Sequence, residues 1–153
     1  MSREENVLKL VAADEPVPDG YRLQDQIGFI LRRAHQRHVS IFAGRIADLT
    51  PPQFAALARL RDIGETSQNQ LGALIAMDAA TVKGVIDRLN ARGLVELRKH
   101  DADKRRLMVR LTDEGRRVVE ELIPQAEQIT AETLAPLSAR EAATLVKLLA
   151  RIA

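Results

Sequence analysis

Between Asp78 and Arg106 the chain sets out residues suited to holding a polyanion. Lys83, Arg88, Arg92, Arg98, Lys99, Lys104, Arg105 and Arg106 all fall in this stretch. A guanidinium offers a planar fork to a phosphate or a guanine edge, and an ammonium offers a point charge. Across 88–117 there are ten Lys/Arg against five Asp/Glu, a local net of +5, while the whole 153-residue chain carries only +2. Positive charge gathered this way releases counterions from a nucleic-acid backbone. Ala79, Ala80 and Gly84 lie among these cations. Residues that small let a helix backbone come close to a base edge.

Two elements must position these groups. Asp78 caps a predicted helix over 79–92, whose apolar residues Val82, Val85, Ile86 and Leu89 form one buried stripe. Burying that stripe turns Ala79, Ala80, Thr81, Lys83, Gly84, Asp87 and Arg88 outward. Gly93 stands where a helix-ending glycine belongs. Just upstream, Thr66 or Ser67 caps a shorter helix through Leu71, Leu74 and Ile75. The pair reads as a helix-turn-helix, and the alternative is an ordinary amphipathic helix with a solvated face. Leu94–Arg98 and Leu107–Leu111 alternate apolar and polar residues, the period of half-buried strands. The cationic turn between them makes a wing. Asp87 is the misfit on a face meant for phosphates, and we expect it to pair with Arg88, Arg92 or a wing arginine.

These residues resemble a known family. The block Asp78…Thr81-Val82…Asp87-Arg88-Leu89…Arg92-Gly93-Leu94-Val95, then Asp103-Lys104-Arg105…Leu111-Thr112…Gly115, looks like the MarR family of bacterial transcription regulators. The Asp-x-Arg of the wing tip and the Leu-Thr-x-x-Gly after the second strand are the most specific marks. The resemblance covers essentially the whole chain. It implies a reading helix in the major groove and a wing-tip arginine in the adjacent minor groove. Those roles fall on Thr81, Lys83 and Arg88, and on Arg105. Ser67, Gln68, Ala79, Ala80, Gly84, Lys104 and Arg106 complete the expected DNA-facing set. Gly84 departs from the polar or basic residue common at its position.

The remaining sequence bounds the answer. The chain is mainly α with a small β-hairpin: an arm over 1–20, a winged helix-turn-helix lobe over 50–111, and a helical dimerisation region over 21–49 and 112–153. Hydrophobic residues make up 46% and charged residues 29%, ordinary for a globular protein. Aromatics are only 3%, which argues against base stacking of the kind single-strand binders use. Cysteine is absent, so disulfides, thiol switches and Cys-based zinc sites are excluded. No apolar run approaches a membrane span, and no signal-peptide core is visible. We expect a cytoplasmic protein, with no metal and no cofactor. No glycine-rich phosphate loop, Gly-x-Ser-x-Gly or nucleophile–base arrangement suggests an enzyme. A protein-binding winged helix is the alternative, and the basic wing tip argues against it.

Tyr21–Asp48 reads as a long helix, and Thr50-Pro51-Pro52 opens the next, which Gly64 ends. Thr112 caps a helix that Pro124 should kink or divide, and Ser138…Glu141 opens the last one. Long apolar stripes on the first and last helices suit a two-fold dimer that reads a pseudo-palindrome. Within the first helix, Arg33, His35, Arg37, His38 and Phe42 form a candidate site for a small anion. The resemblance extends to repressors of aromatic-acid catabolism, so an aromatic acid or its CoA thioester is the expected effector. The other reading of these arginines is surface or intersubunit ion pairing. His35 and His38, three apart, read as a chance helical pair.

Overall fold

A computed structural model describes residues 20–153; the expected arm lies almost wholly outside them. The chain divides into two units, 1–34 and 35–153. Among the described residues of the first unit, a single 3₁₀ turn, Leu23–Asp25, precedes the start of helix α1, Ile27–Arg45. The expected helix over 21–48 is therefore shorter at both ends. Ile27, Ile30 and Leu31 are exposed on this part of α1.

The second unit holds the rest of α1, then α2 (Pro51–Ile63), β1 (Thr66–Ser67), α3 (Gln68–Leu74), α4 (Ala79–Ala91), β2 (Val95–Lys99), β3 (Leu107–Leu111), α5 (Asp113–Leu134) and α6 (Ala139–Ile152). The starts of these helices follow from their caps. Thr50 Oγ1 accepts from the Gln53 N–H, and Gln53 Oε1 accepts in return from the Thr50 N–H. Ser138 and Glu141 form the same reciprocal box at α6. Each box satisfies two backbone donors that a helix start leaves free. Gly64, at φ 76°, ends α2.

The core gathers where α2, α3, α4 and the sheet meet. Leu57, Leu60, Leu71, Val82, Ile86, Leu89 and Val109 are all essentially sealed from solvent. Each large side chain buried this fully stabilises the fold by about 1.5–3 kcal/mol. Phe42 and Phe54 pack edge to face, with ring centroids 6.1 Å apart.

The expected hairpin of β2 and β3 is present, and a third strand joins it: Thr66 and Ser67 pair with Val109 and Met108, giving an antiparallel sheet in the order β1–β3–β2. A two-residue strand has no periodicity to read. Pro124 does not divide α5, which is one helix of 22 residues. Val119 and Ile129, on either side of the proline, are buried, and their packing offsets the ~3 kcal/mol a helix-interior proline costs. Among the described residues, no helix is long and apolar enough to cross a membrane.

Candidate nucleic-acid interface

The reading helix is α4. Asp78 caps it, with Oδ1 accepting from the Thr81 N–H at 2.7 Å. Backbone and side-chain hydrogen bonds from Thr81 hold the Asp78 carboxyl below the usual carboxylate range. Val82, Val85, Ile86 and Leu89 are buried, as their spacing requires, and Ala79, Ala80, Thr81, Lys83, Asp87 and Arg88 are exposed. Gly84 is half-buried, and a Cβ built on it meets nothing within 4 Å. The helix therefore has open space beside its backbone, where a base edge needs it.

Asp87 pairs with neither an arginine of α4 nor one of the wing. Its Oδ2 accepts from Lys83 Nζ at 2.7 Å, one helical turn back. The i, i+4 spacing of Lys and Asp was the available signal. The Lys83 ammonium is therefore paired on the exposed face of α4. We expect Asp87→Asn to tighten binding to a scrambled duplex by roughly 3- to 10-fold and to steepen the salt dependence. Anisotropy titrations at two salt concentrations measure both, and unchanged non-specific binding would contradict this pairing.

The Arg88 side chain has no hydrogen-bond partner among the described residues, although its carbonyl accepts from the Arg92 N–H. With Arg92 it lines an open cleft of about 520 Å³ against the loop between α1 and α2. Arg92 Nη1 donates to the Asp48 carbonyl at 2.6 Å. Arg92 was not among the expected contacts, and only this non-local bond reveals its place. Gln68 is half-buried at the start of α3. Ser67 is buried, with its Oγ spent on the Gln70 N–H, so it acts on α3 as a cap.

The wing is braced at its base. Arg98 forks onto Glu65, Nε to Oε2 at 3.0 Å and Nη2 to Oε1 at 2.5 Å. That fork, with the guanidinium charge, holds the Glu65 carboxyl below its ordinary range. Glu96 and Arg110 face each other across β2 and β3 and pair at 2.8 Å. At the tip, Lys104, Arg105 and Arg106 are all exposed. The Arg105 side chain is 92% exposed, yet it is oriented. Asp103 Oδ1 accepts from its backbone N–H at 3.1 Å and from its Nε at 3.2 Å. This explains the Asp-x-Arg spacing: the carboxylate aims the guanidinium and leaves its two Nη groups free.

The residues marked for an anion lie on α1. Arg33 and His35 are exposed. Arg37 donates to the carbonyls of Thr133 (2.8 Å) and Glu132 (3.0 Å), among the last carbonyls of α5. His38 Nδ1 lies 2.9 Å from Thr133 Oγ1. Arg45 binds the Glu132 carboxylate. Phe42 is a core residue. Arg37 and His38 thus meet the carboxyl end of α5, a contact some 95 residues apart in sequence that no local pattern announces. Among the described residues, no three His, Asp or Glu side chains gather as a metal site.

Comparison with known proteins agrees with this geometry. The model of the MarR family matches residues 49–107, the span from the start of α2 into β3. The transcriptional repressor NicR of Pseudomonas putida is 39% identical over 134 residues, which cover 86% of this chain and 85% of NicR. Bordetella bronchiseptica BpsR, solved to explain regulation of its DNA binding by 6-hydroxynicotinic acid, superposes with a TM-score of 0.84. It is 44% identical and covers 87% of this chain and 96% of its own. A mutant MarR from Escherichia coli complexed with operator DNA gives a TM-score of 0.75 at 26% identity, covering 82% of this chain and 92% of its own. A capped reading helix, a braced wing with an aimed arginine, and these relatives lead to one conclusion: the chain belongs to the MarR family, and is a winged-helix DNA-binding transcription regulator, not an enzyme.

Proposed function

We propose that this chain is a cytoplasmic homodimeric repressor that a small aromatic or heteroaromatic acid releases from its operator. The observation that carries the DNA-binding part is the exposed, Asp103-aimed guanidinium of Arg105. The dimer is supported by Leu145, Val146, Leu148 and Ile152, large apolar side chains that α6 leaves exposed in a single chain. Two reading heads on a two-fold axis would address half-sites about 34–36 Å apart.

The release is supported by the relatives, one named a repressor and one solved for its regulation by 6-hydroxynicotinic acid. The chemistry on α1 suits that class. Arg37 spends its fork on two carbonyl oxygens. A carboxylate makes a stronger, charge-assisted acceptor for the same fork. An acid that takes Arg37 and His38 from α5 unties α1 from the helix that follows the wing. The ligand shifts the spacing of the heads only if it binds the DNA-incompetent arrangement more tightly.

The test is a titration of the protein–duplex complex with 6-hydroxynicotinic acid and, separately, with benzoyl-CoA. We expect release by the free acid, and blunted release in both Arg33→Ala and Arg37→Ala; Arg33→Ala leaves DNA affinity unchanged, whereas Arg37→Ala lowers it, because that substitution removes the same tie to α5. Release by the thioester alone would move the effector to the CoA-ester class. Release unaltered in both variants would remove α1 as the ligand site.

A further inference from the structure

We infer that His100 is a positioning residue for the wing-tip guanidinium and does this work only as a neutral imidazole. The inference rests on the DNA-reading role of Arg105. A backbone N–H can only donate. Those of Ala102 and Asp103 lie 3.2 and 3.0 Å from His100 Nδ1. Nδ1 is therefore the bare nitrogen, and the ring proton sits on Nε2. This one acceptor gathers the turn at the residue that must present its carboxylate to Arg105.

Asp103 then passes the order on, accepting from the Arg105 N–H and Nε. Backbone bonds close the same loop. The His100 N–H donates to the Arg106 carbonyl at 2.9 Å, and the Arg106 N–H donates to the Asp103 carbonyl at 3.0 Å. A line of hydrogen bonds thus runs from the His100 acceptor through Asp103 to the Arg105 donors. Among the described residues, Arg105 has no other side-chain partner to orient it.

An imidazolium carries N–H on both nitrogens. Protonating His100 puts a third donor where two donors already converge. Both hydrogen bonds are lost, the turn loosens and Asp103 no longer fixes the guanidinium. The charged groups around the ring are Glu65, from the segment entering β1, with Arg98 and Arg110 acting on the same carboxyl. Asp101 pairs with Arg98 at 3.3 Å, and Asp103 and Arg105 complete the turn. Protonation has two opposed effects on DNA binding. The added charge strengthens sequence-independent attraction to phosphates. The lost cap removes the contribution of Arg105. Total affinity mixes the two, so the informative quantity is the cost of Arg105→Ala at each pH.

That cost is measured by anisotropy on a duplex from upstream of the protein's own gene, beside a scrambled duplex, at pH 7.5 and 5.5. The proteins are wild type, His100→Asn and His100→Ala, each with and without Arg105→Ala. In the wild-type background we expect the Arg105→Ala cost to be roughly 30-fold at pH 7.5 and to fall below roughly 5-fold at pH 5.5. With His100→Asn, whose amide oxygen accepts at either pH, the cost stays near the higher value throughout. With His100→Ala it is small at both. An equal cost at two pH values between which the His100 ring-carbon resonance shows it gaining its proton, or a full cost in His100→Ala, overturns the inference. A failure of the DNA reading itself would show separately, as equal binding to the two duplexes. In that case the Ala102 and Asp103 amide resonances still decide. They should shift on acidification and lose protection relative to the intrinsic exchange rate at that pH in wild type, and hold still in His100→Asn, and unmoved wild-type amides would overturn the cap.

Discussion

Arg105→Ala weakens binding to the cognate duplex by roughly 30-fold or more, because each wing loses about 1–2 kcal/mol of groove contact and a dimer has two wings. The side chain is exposed and packs against nothing apolar, so the same substitution leaves the melting temperature unchanged. The salt slope of log K falls by about 2, one charge per wing. The loss is largest where the minor groove is narrow, because its negative potential is strongest there. Binding to a scrambled duplex, which depends on the general cationic surface, falls far less. Equal losses on both duplexes would mean that Arg105 acts as one phosphate contact among several.

The second large effect concerns stability. A Cβ added at Gly115 lies 1.9 Å from the Leu94 carbonyl oxygen and 2.8 Å from its carbon. These are backbone atoms, so no rotamer change relieves the clash. The Leu94 carbonyl is also held, because it accepts from the Thr112 N–H at 3.1 Å. Thr112 Oγ1 in turn donates to the Gly93 carbonyl at 2.6 Å and accepts from the Gly115 N–H at 3.0 Å. The start of α5, the end of α4 and the entry to β2 are locked here through one threonine. Gly115→Ala must pull α5 away from that junction. We expect a cost of about 3 kcal/mol or more and a fall in Tm of about 10 °C. Thermal unfolding followed by circular dichroism checks this, and a Tm within two degrees of wild type would contradict it. The Leu-Thr-x-x-Gly pattern thereby acquires a physical meaning. The threonine ties three elements together, and the glycine is the only residue that lets them approach so closely.

The reading helix and the wing were legible because their determinants are local. A cap at Asp78, a four-residue apolar stripe, a glycine at φ 71° and two alternating strands all lie within forty residues. The features that were not legible depend on partners far along the chain. Thr66 and Ser67 become a strand only because β3 arrives some forty residues later. Arg37 looks like a free cation until the end of α5 comes to meet it. Glu65 gives no local hint that it will brace Arg98. Of the two outcomes a helix-interior proline allows, Pro124 does not divide α5, because residues on both sides of it are buried. Asp87 is different, since its partner was readable from spacing and an arginine was favoured instead. His100 carries no pattern at all, and only the two backbone donors aimed at Nδ1 show its role.

The most direct test of the central claim is fluorescence anisotropy of the purified chain on a duplex from just upstream of its own gene, at two salt concentrations, beside a scrambled duplex of equal length. The account predicts tight, salt-sensitive binding to the genomic duplex and binding at least a thousandfold weaker to the scrambled one, the usual margin of a specific regulator. Equal, weak binding to both, across every upstream fragment tried, would contradict the claim that this helix and wing read DNA sequence.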